Sequence, residues 1–109
     1  MKACLYFIDE PTSQAYLALA SGKTEEKELS RELKLAFDEI ASDAFCGIQI
    51  PKRLIPKTYT SKYEIDNLWK FNFHKSWRLM YTVAGDGENV LALVIEWLPH
   101  KEYDRRFGY

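Results

Sequence analysis

Four side chains suited to phosphodiester chemistry fall in the second half of this chain. Lys70 lies in Asn67-Leu68-Trp69-Lys70-Phe71-Asn72-Phe73, Arg78 in Trp77-Arg78-Leu79-Met80-Tyr81, and His100 and Tyr103 in His100-Lys101-Glu102-Tyr103. A phosphate changing bonding partners needs fixed cations for its developing charge and a proton donor for its leaving oxygen. The planar, permanently charged fork of Arg78 suits a crowded phosphate better than a lysine would. An imidazole, with an unperturbed pKa of about 6.5, can hold or release a proton at neutral pH. Lys70 offers a second cation or a base. Glu96 is the one acid in the apolar run from Val90 to Trp97. Strict alternation puts it on the face of Val90, Ala92 and Val94, as a general base or an ion-pair partner of Arg78. His74, in a turn, is the weaker histidine.

These residues need a sheet to gather them. Trp69, Phe71 and Phe73 alternate with Lys70 and Asn72, so the basic residue occupies the opposite strand face from the aromatics. After a tight turn at His74-Lys75, the residues Trp77, Leu79, Tyr81 and Val83 alternate with Arg78, Met80 and Thr82. Gly85-Asp86-Gly87 predicts a second hairpin turn, followed by a mostly apolar strand over 90–97. Upstream, 2–8 reads as a buried strand. Asp9 to Ser13 opens a short helix over about 13–20 that ends at Gly22. Thr24 is expected to cap a second helix, with Glu25 and Glu26 in its first turn opposing the dipole. Leu29, Leu33, Ala36, Phe37 and Ile40 recur there at helical spacing. Between Gly47 and Asp66 the period is lost; Pro51 and Pro56 predict turns and a short helix near 57–63. The expected fold is α+β in the order β-α-α-β-β-β, with two N-terminal helices packed on a largely antiparallel sheet.

A chain of 109 residues forms one domain spanning 1–109. Its high apolar and aromatic content argues against disorder. No apolar run approaches the roughly 20 residues of a membrane helix, and the N-terminal apolar stretch is too short for a signal peptide. Cys4 and Cys46 make neither a metal motif nor a disulfide framework, which points to free thiols in a reducing cytoplasm. The net charge of −1 conceals an uneven spread. Residues 1–46 hold 5 Lys/Arg against 9 Asp/Glu, and 47–81 hold 7 against 2. A basic middle interleaved with aromatics is compatible with a nucleic-acid face, and equally with a soluble loop surface carrying Lys52, Arg53, Lys57 and Lys62. Lys75 in the turn either contacts RNA or simply faces solvent, and the tail of Asp104, Arg105, Arg106 and Tyr109 either contacts RNA or packs back on the sheet.

The element order, the arginine in Trp77-Arg78-Leu79-Met80-Tyr81, and the histidine and tyrosine that follow the last strand resemble the RelE/ParE toxin superfamily. The likeness is best from Asn67 to Tyr109. It implies a toxin of a type II toxin–antitoxin pair, with a cognate antitoxin whose helix lies over the sheet. RelE-like members are endoribonucleases that cleave mRNA, usually on the ribosome and without a metal or other cofactor, by attack of a ribose 2′-oxygen on the adjacent phosphate. On that likeness Arg78 holds the phosphate, His100 is the general acid, Lys70 or Glu96 assists the base step, and Tyr103 stacks on a base or hydrogen-bonds the phosphate. ParE-like members poison DNA gyrase instead, so the alternative is a non-catalytic binding module, or a degenerate toxin that only binds its antitoxin. The chain departs from ribosome-acting members in being slightly acidic rather than strongly basic. It also carries Ile50-Pro51-Lys52 and Ile55-Pro56-Lys57 steps outside the family motif.

Overall fold

A computed structural model describes residues 1–108. The fold is α+β: a five-stranded mixed sheet with four α-helices. In chain order the elements are β1 (Cys4–Phe7), α1 (Glu10–Leu19), α2 (Thr24–Ser42), β2 (Ile48–Gln49), a 3-10 turn (Lys52–Leu54), α3 (Lys57–Lys62), β3 (Trp69–Phe73), β4 (Trp77–Gly85), β5 (Val90–Pro99) and α4 (His100–Phe107). The strand order is β1-β5-β4-β3-β2, with β1 parallel to β5 and the other pairs antiparallel.

The helices start close to where their caps predict. Asp9 Oδ1 accepts from Thr12 N at 2.9 Å and Thr12 Oγ1 at 2.6 Å, so α1 begins at Glu10, earlier than expected. Those bonds hold the Asp9 carboxyl below its ordinary pKa. In α2 the capping position is Lys23, whose backbone N–H donates to Glu26 Oε1 at 3.1 Å; Thr24 is already helical. Leu29, Leu33, Ala36, Phe37 and Ile40 are all buried. They pack on Leu79, Tyr81, Ala92 and Val94, with Trp69, Phe71, Phe73 and Trp77 around them. β1 is an edge strand rather than a fully buried one: Leu5 and Phe7 face this core and Tyr6 is 56% exposed.

The opposite face of the sheet is covered as well, which the expected two-helix arrangement does not provide. Ile50, Tyr59, Leu68, Met80, Ile95, Leu98 and Tyr103 form a second core there, beneath α3 and α4. Gly47 allows the chain to reach this edge. A Cβ at that position would sit 2.6 Å from Tyr81 Oη and 2.7 Å from the Lys70 carbonyl oxygen.

The decisive departure from simple alternation lies in β5. Met80 pairs with Glu96, but Tyr81 pairs with Val94, so Ile95 is an extra residue opposite β4. This bulge resets the side-chain period. Glu96 is therefore carried away from the face of Ala92 and Val94, where alternation predicts it, to the face of Arg78 and Met80.

Candidate functional site

On that second face the strand register lays out two neighbouring rows. Asn72, Arg78 and Leu98 stand side by side across β3, β4 and β5, and Lys70, Met80 and Glu96 form the next row. Lys70 and Arg78 are thus diagonal neighbours. α4 crosses above them. Its helical pitch brings Tyr103 and Phe107 down onto the sheet and leaves His100 and Asp104 one turn apart at the rim.

Tyr103 is the platform of the cluster. It is 2% exposed, and its ring stacks on Phe107 with centroids 4.3 Å apart. Lys70 Nζ lies 4.9 Å and Arg78 Cζ 5.8 Å from the Tyr103 centroid. Both cations are within reach of the negative ring face. The aromatic body is therefore enclosed, and it supports cations rather than offering a surface for an incoming base. Burial first, and the Arg78 charge second, hold the Lys70 ammonium below the ordinary lysine pKa, with Asp104 acting in the opposite sense.

Arg78 points along β4 toward the start of α4. Nη1 donates to the Trp77 carbonyl at 3.3 Å, and Nη2 lies 3.3 Å from His100 Nδ1. Its Nε is buried without a hydrogen-bond partner among the described residues. His100 Nε2 lies 3.0 Å from Asp104 Oδ2. The His100 side chain is 54% exposed, so the imidazole is open to a ligand. Arg78, His100 and Asp104 thus form a continuous polar chain beside Lys70.

Glu96 belongs to a separate network. It accepts from Tyr59 Oη and from Arg106 Nη1, the latter at 2.7 Å. Burial, then the Glu96 hydrogen bond, push the Tyr59 phenol well above its ordinary pKa. Desolvation works against the Arg106 charge, but Glu96 and Tyr59 together outweigh it and hold the guanidinium above its ordinary value. Alternation suggests Arg78 as the ion-pair partner of Glu96; the structure supplies Arg106 instead. Arg106 in turn is engaged below the sheet rim, with its guanidinium 5.9 Å from the Tyr59 ring.

Lys75 and His74 lie in the β3–β4 turn. Lys75 is exposed and makes no ion pair with any described residue. His74 turns toward α2, with Nε2 3.6 Å from Glu28 and Nδ1 3.6 Å from Glu32, away from the Arg78 cluster. Tyr109 lies outside the described residues. Lys70, Arg78, His100 and Tyr103 therefore come together; Glu96 and Arg106 pair nearby; Lys75 does not join them. Sequence reasoning gave Tyr59 no role in a site and placed Asp104 only in a charged tail. The spacing of His100 and Asp104 at i and i+4 was available as a signal once 100–107 is read as a helix.

Among the described residues no three His, Cys, Asp or Glu side chains converge as a metal site, and no helix is long and apolar enough to cross a membrane. Comparison with protein-family models, with curated proteins and with solved structures found no match to this chain.

Proposed function

We propose that this chain is a RelE-like endoribonuclease, the toxin of a type II toxin–antitoxin pair. The observation that carries the reading is the convergence of Lys70, Arg78 and the exposed imidazole of His100 on one sheet face, over a buried tyrosine. Two cations and a titratable ring at one open site match what in-line cleavage of an RNA phosphodiester demands. The ribose 2′-hydroxyl loses its proton, its oxygen bonds to the adjacent phosphorus, and the 5′-oxygen leaves with a proton from the site. The products are a cyclic phosphate and a 5′-hydroxyl. Arg78 stabilises the charge on the crowded phosphate. Lys70 is placed to neutralise the non-bridging oxygens, and its lowered pKa suits it to protonate the departing oxygen.

The near-neutral net charge gives the chain little general affinity for nucleic acid, because phosphate contacts supply most of such binding. Docking on RNA therefore falls to the basic stretch 47–81, which holds 7 Lys/Arg against 2 Asp/Glu.

Induced expression of the intact chain, beside an Arg78→Ala, His100→Ala double variant, tests the reading. Growth arrest with mRNA cut only by the intact chain is the expected outcome, and in vitro Arg78→Ala alone should slow cleavage by ~100- to 1,000-fold. Arrest with intact mRNA assigns the fold to a gyrase-poisoning or other binding role. Cleavage retained by the folded double variant rules out the site.

A further inference from the structure

The chain of contacts Arg78–His100–Asp104 fixes the state of the imidazole. A guanidinium has only N–H donors, so where Arg78 Nη2 approaches His100 Nδ1 at 3.3 Å, that nitrogen must accept. The ring proton then resides on Nε2, 3.0 Å from an oxygen of Asp104, which accepts it. A second proton on Nδ1 would point at an N–H of Arg78. The groups facing this ring are Arg78 from β4, with Lys70 of β3 behind it, and Asp104 on its own helix. The Arg78 N–H thus meets an unprotonated Nδ1, while the carboxylate secures the ring proton on Nε2. His100 is thereby prepared to take a proton at Nδ1, a base rather than the general acid that the family likeness implies.

We propose that Asp104 is a positioning residue: it holds His100 in the Nε2–H tautomer, leaving Nδ1 to remove the ribose 2′-hydroxyl proton. This assignment rests on the nuclease reading. It brings a gating consequence. In the free protein Nδ1 is covered by Arg78. A phosphodiester offers Arg78 charged oxygens, which make stronger, charge-assisted hydrogen bonds than a neutral ring nitrogen. Docking of the phosphate therefore draws Arg78 off the imidazole and uncovers the base at the moment substrate is in place. The step balances: Nδ1 gains the 2′-hydroxyl proton, the 2′-oxygen bonds to phosphorus, and the P–O5′ bond breaks with a proton supplied from Lys70.

The tautomer is measured directly by two-dimensional nitrogen–proton NMR of the imidazoles in the intact chain, without any RNA. At a pH where His100 is neutral, wild type should show an unprotonated Nδ1 and a protonated Nε2, and Asp104→Ala should lose that preference while keeping its circular dichroism spectrum. In cleavage assays Asp104→Ala should lower kcat by ~100-fold or more with KM within about twofold, and should alter the low-pH limb of the rate profile. Asp104→Glu, which restores a carboxylate one methylene further out, should recover part of the rate. Lys101→Ala, on the exposed side of the same turn, should match wild type.

A wild-type ring protonated at Nδ1, or an Asp104→Ala variant unchanged in both tautomer and rate, overturns the proposal. If the tautomer is as stated but the wild-type chain cuts no RNA, the nuclease reading and the base role fall together. The Asp104–His100 relationship then stands as structure alone.

Discussion

Glu96 Oε2 and Arg106 Nη1 lie 2.7 Å apart, joining the centre of β5 to the last turn of α4. The side chains are 27% and 33% exposed, so the pair is partly desolvated and also holds the Tyr59 hydroxyl. Removing one partner leaves the other poorly solvated. Glu96→Ala should therefore destabilise the protein by about 2 kcal/mol in urea unfolding. Glu96→Gln, which can still accept from Tyr59 and Arg106, should cost less and leave the RNA cleavage proposed above within a few-fold of wild type. A collapse of cleavage in a stably folded Glu96→Gln chain would return Glu96 to the base role.

The depressed pKa of Lys70 has a defined sign. Between its folded value and its unfolded value of about 10.4 the native state holds fewer protons than the unfolded chain, so this group adds stability as pH rises through that window. Arg78→Ala removes the neighbouring positive charge and should move the Lys70 ammonium pKa upward, though not fully, because burial is the larger cause. Nitrogen-detected NMR titration of lysine side chains checks both the direction and the partial recovery.

Tyr81 offers a different test, far from the chemistry. Its hydroxyl donates to the Ala44 carbonyl at 2.8 Å and accepts from Gly47 N at 3.1 Å, tying the end of α2 and the approach to β2 onto β4. Tyr81→Phe strands both backbone groups and should cost about 1–3 kcal/mol. Burial pushes the Tyr81 phenol above its ordinary pKa. The neutral form is thus favoured by folding; its contribution is complete below the unfolded pKa and is lost as pH climbs through the folded one. The stability gap between wild type and Tyr81→Phe should accordingly narrow only in strong alkali.

The β3–β4 turn holds His74 at φ 43° and Lys75 at φ 65°, both left-handed. The connection is three residues long, His74 to Ser76, and glycine is the residue that takes a left-handed conformation without a steric cost. Lys75→Gly should raise stability by about 0.5–1 kcal/mol, because the left-handed strain of a side-chain-bearing residue is relieved. Its effect on cleavage separates two roles: no change is expected if Lys75 stands apart from the site, whereas a clear loss would make it an RNA contact.

The second helix was legible because five apolar residues recur at its period and every one of them is buried. The β3–β4 hairpin was legible because a strand face of Trp69, Phe71 and Phe73 meets one of Trp77, Leu79 and Tyr81. The alternation that placed Lys70 and Arg78 together needed no knowledge of tertiary contacts. β5 failed the same test, since a bulge leaves no mark in a continuous apolar run, and one extra residue at Ile95 moved Glu96 to the other side. α4 escaped notice because only Tyr103 and Phe107 of its eight residues are apolar, too few for a periodic signal on their own. With that helix unseen, the His100–Asp104 pair was two unrelated residues in a tail. Tyr59 was hidden for a similar reason, in a segment whose prolines obscure the period.

β5 lies inside the sheet, between β1 and β4, although it is the last strand made. During synthesis β1 emerges first and has no strand neighbour until almost ninety residues later, when Leu91 to Val94 arrive to receive it. Such a pairing closes a long loop late, a topology that slows folding. The nascent chain consequently exposes Leu5, Phe7 and the apolar stripe of α2 for most of its translation. Cells making this protein must tolerate a sticky, half-built precursor before a working one exists, so low temperature or chaperone supply should govern its soluble yield more than the stability of the finished fold.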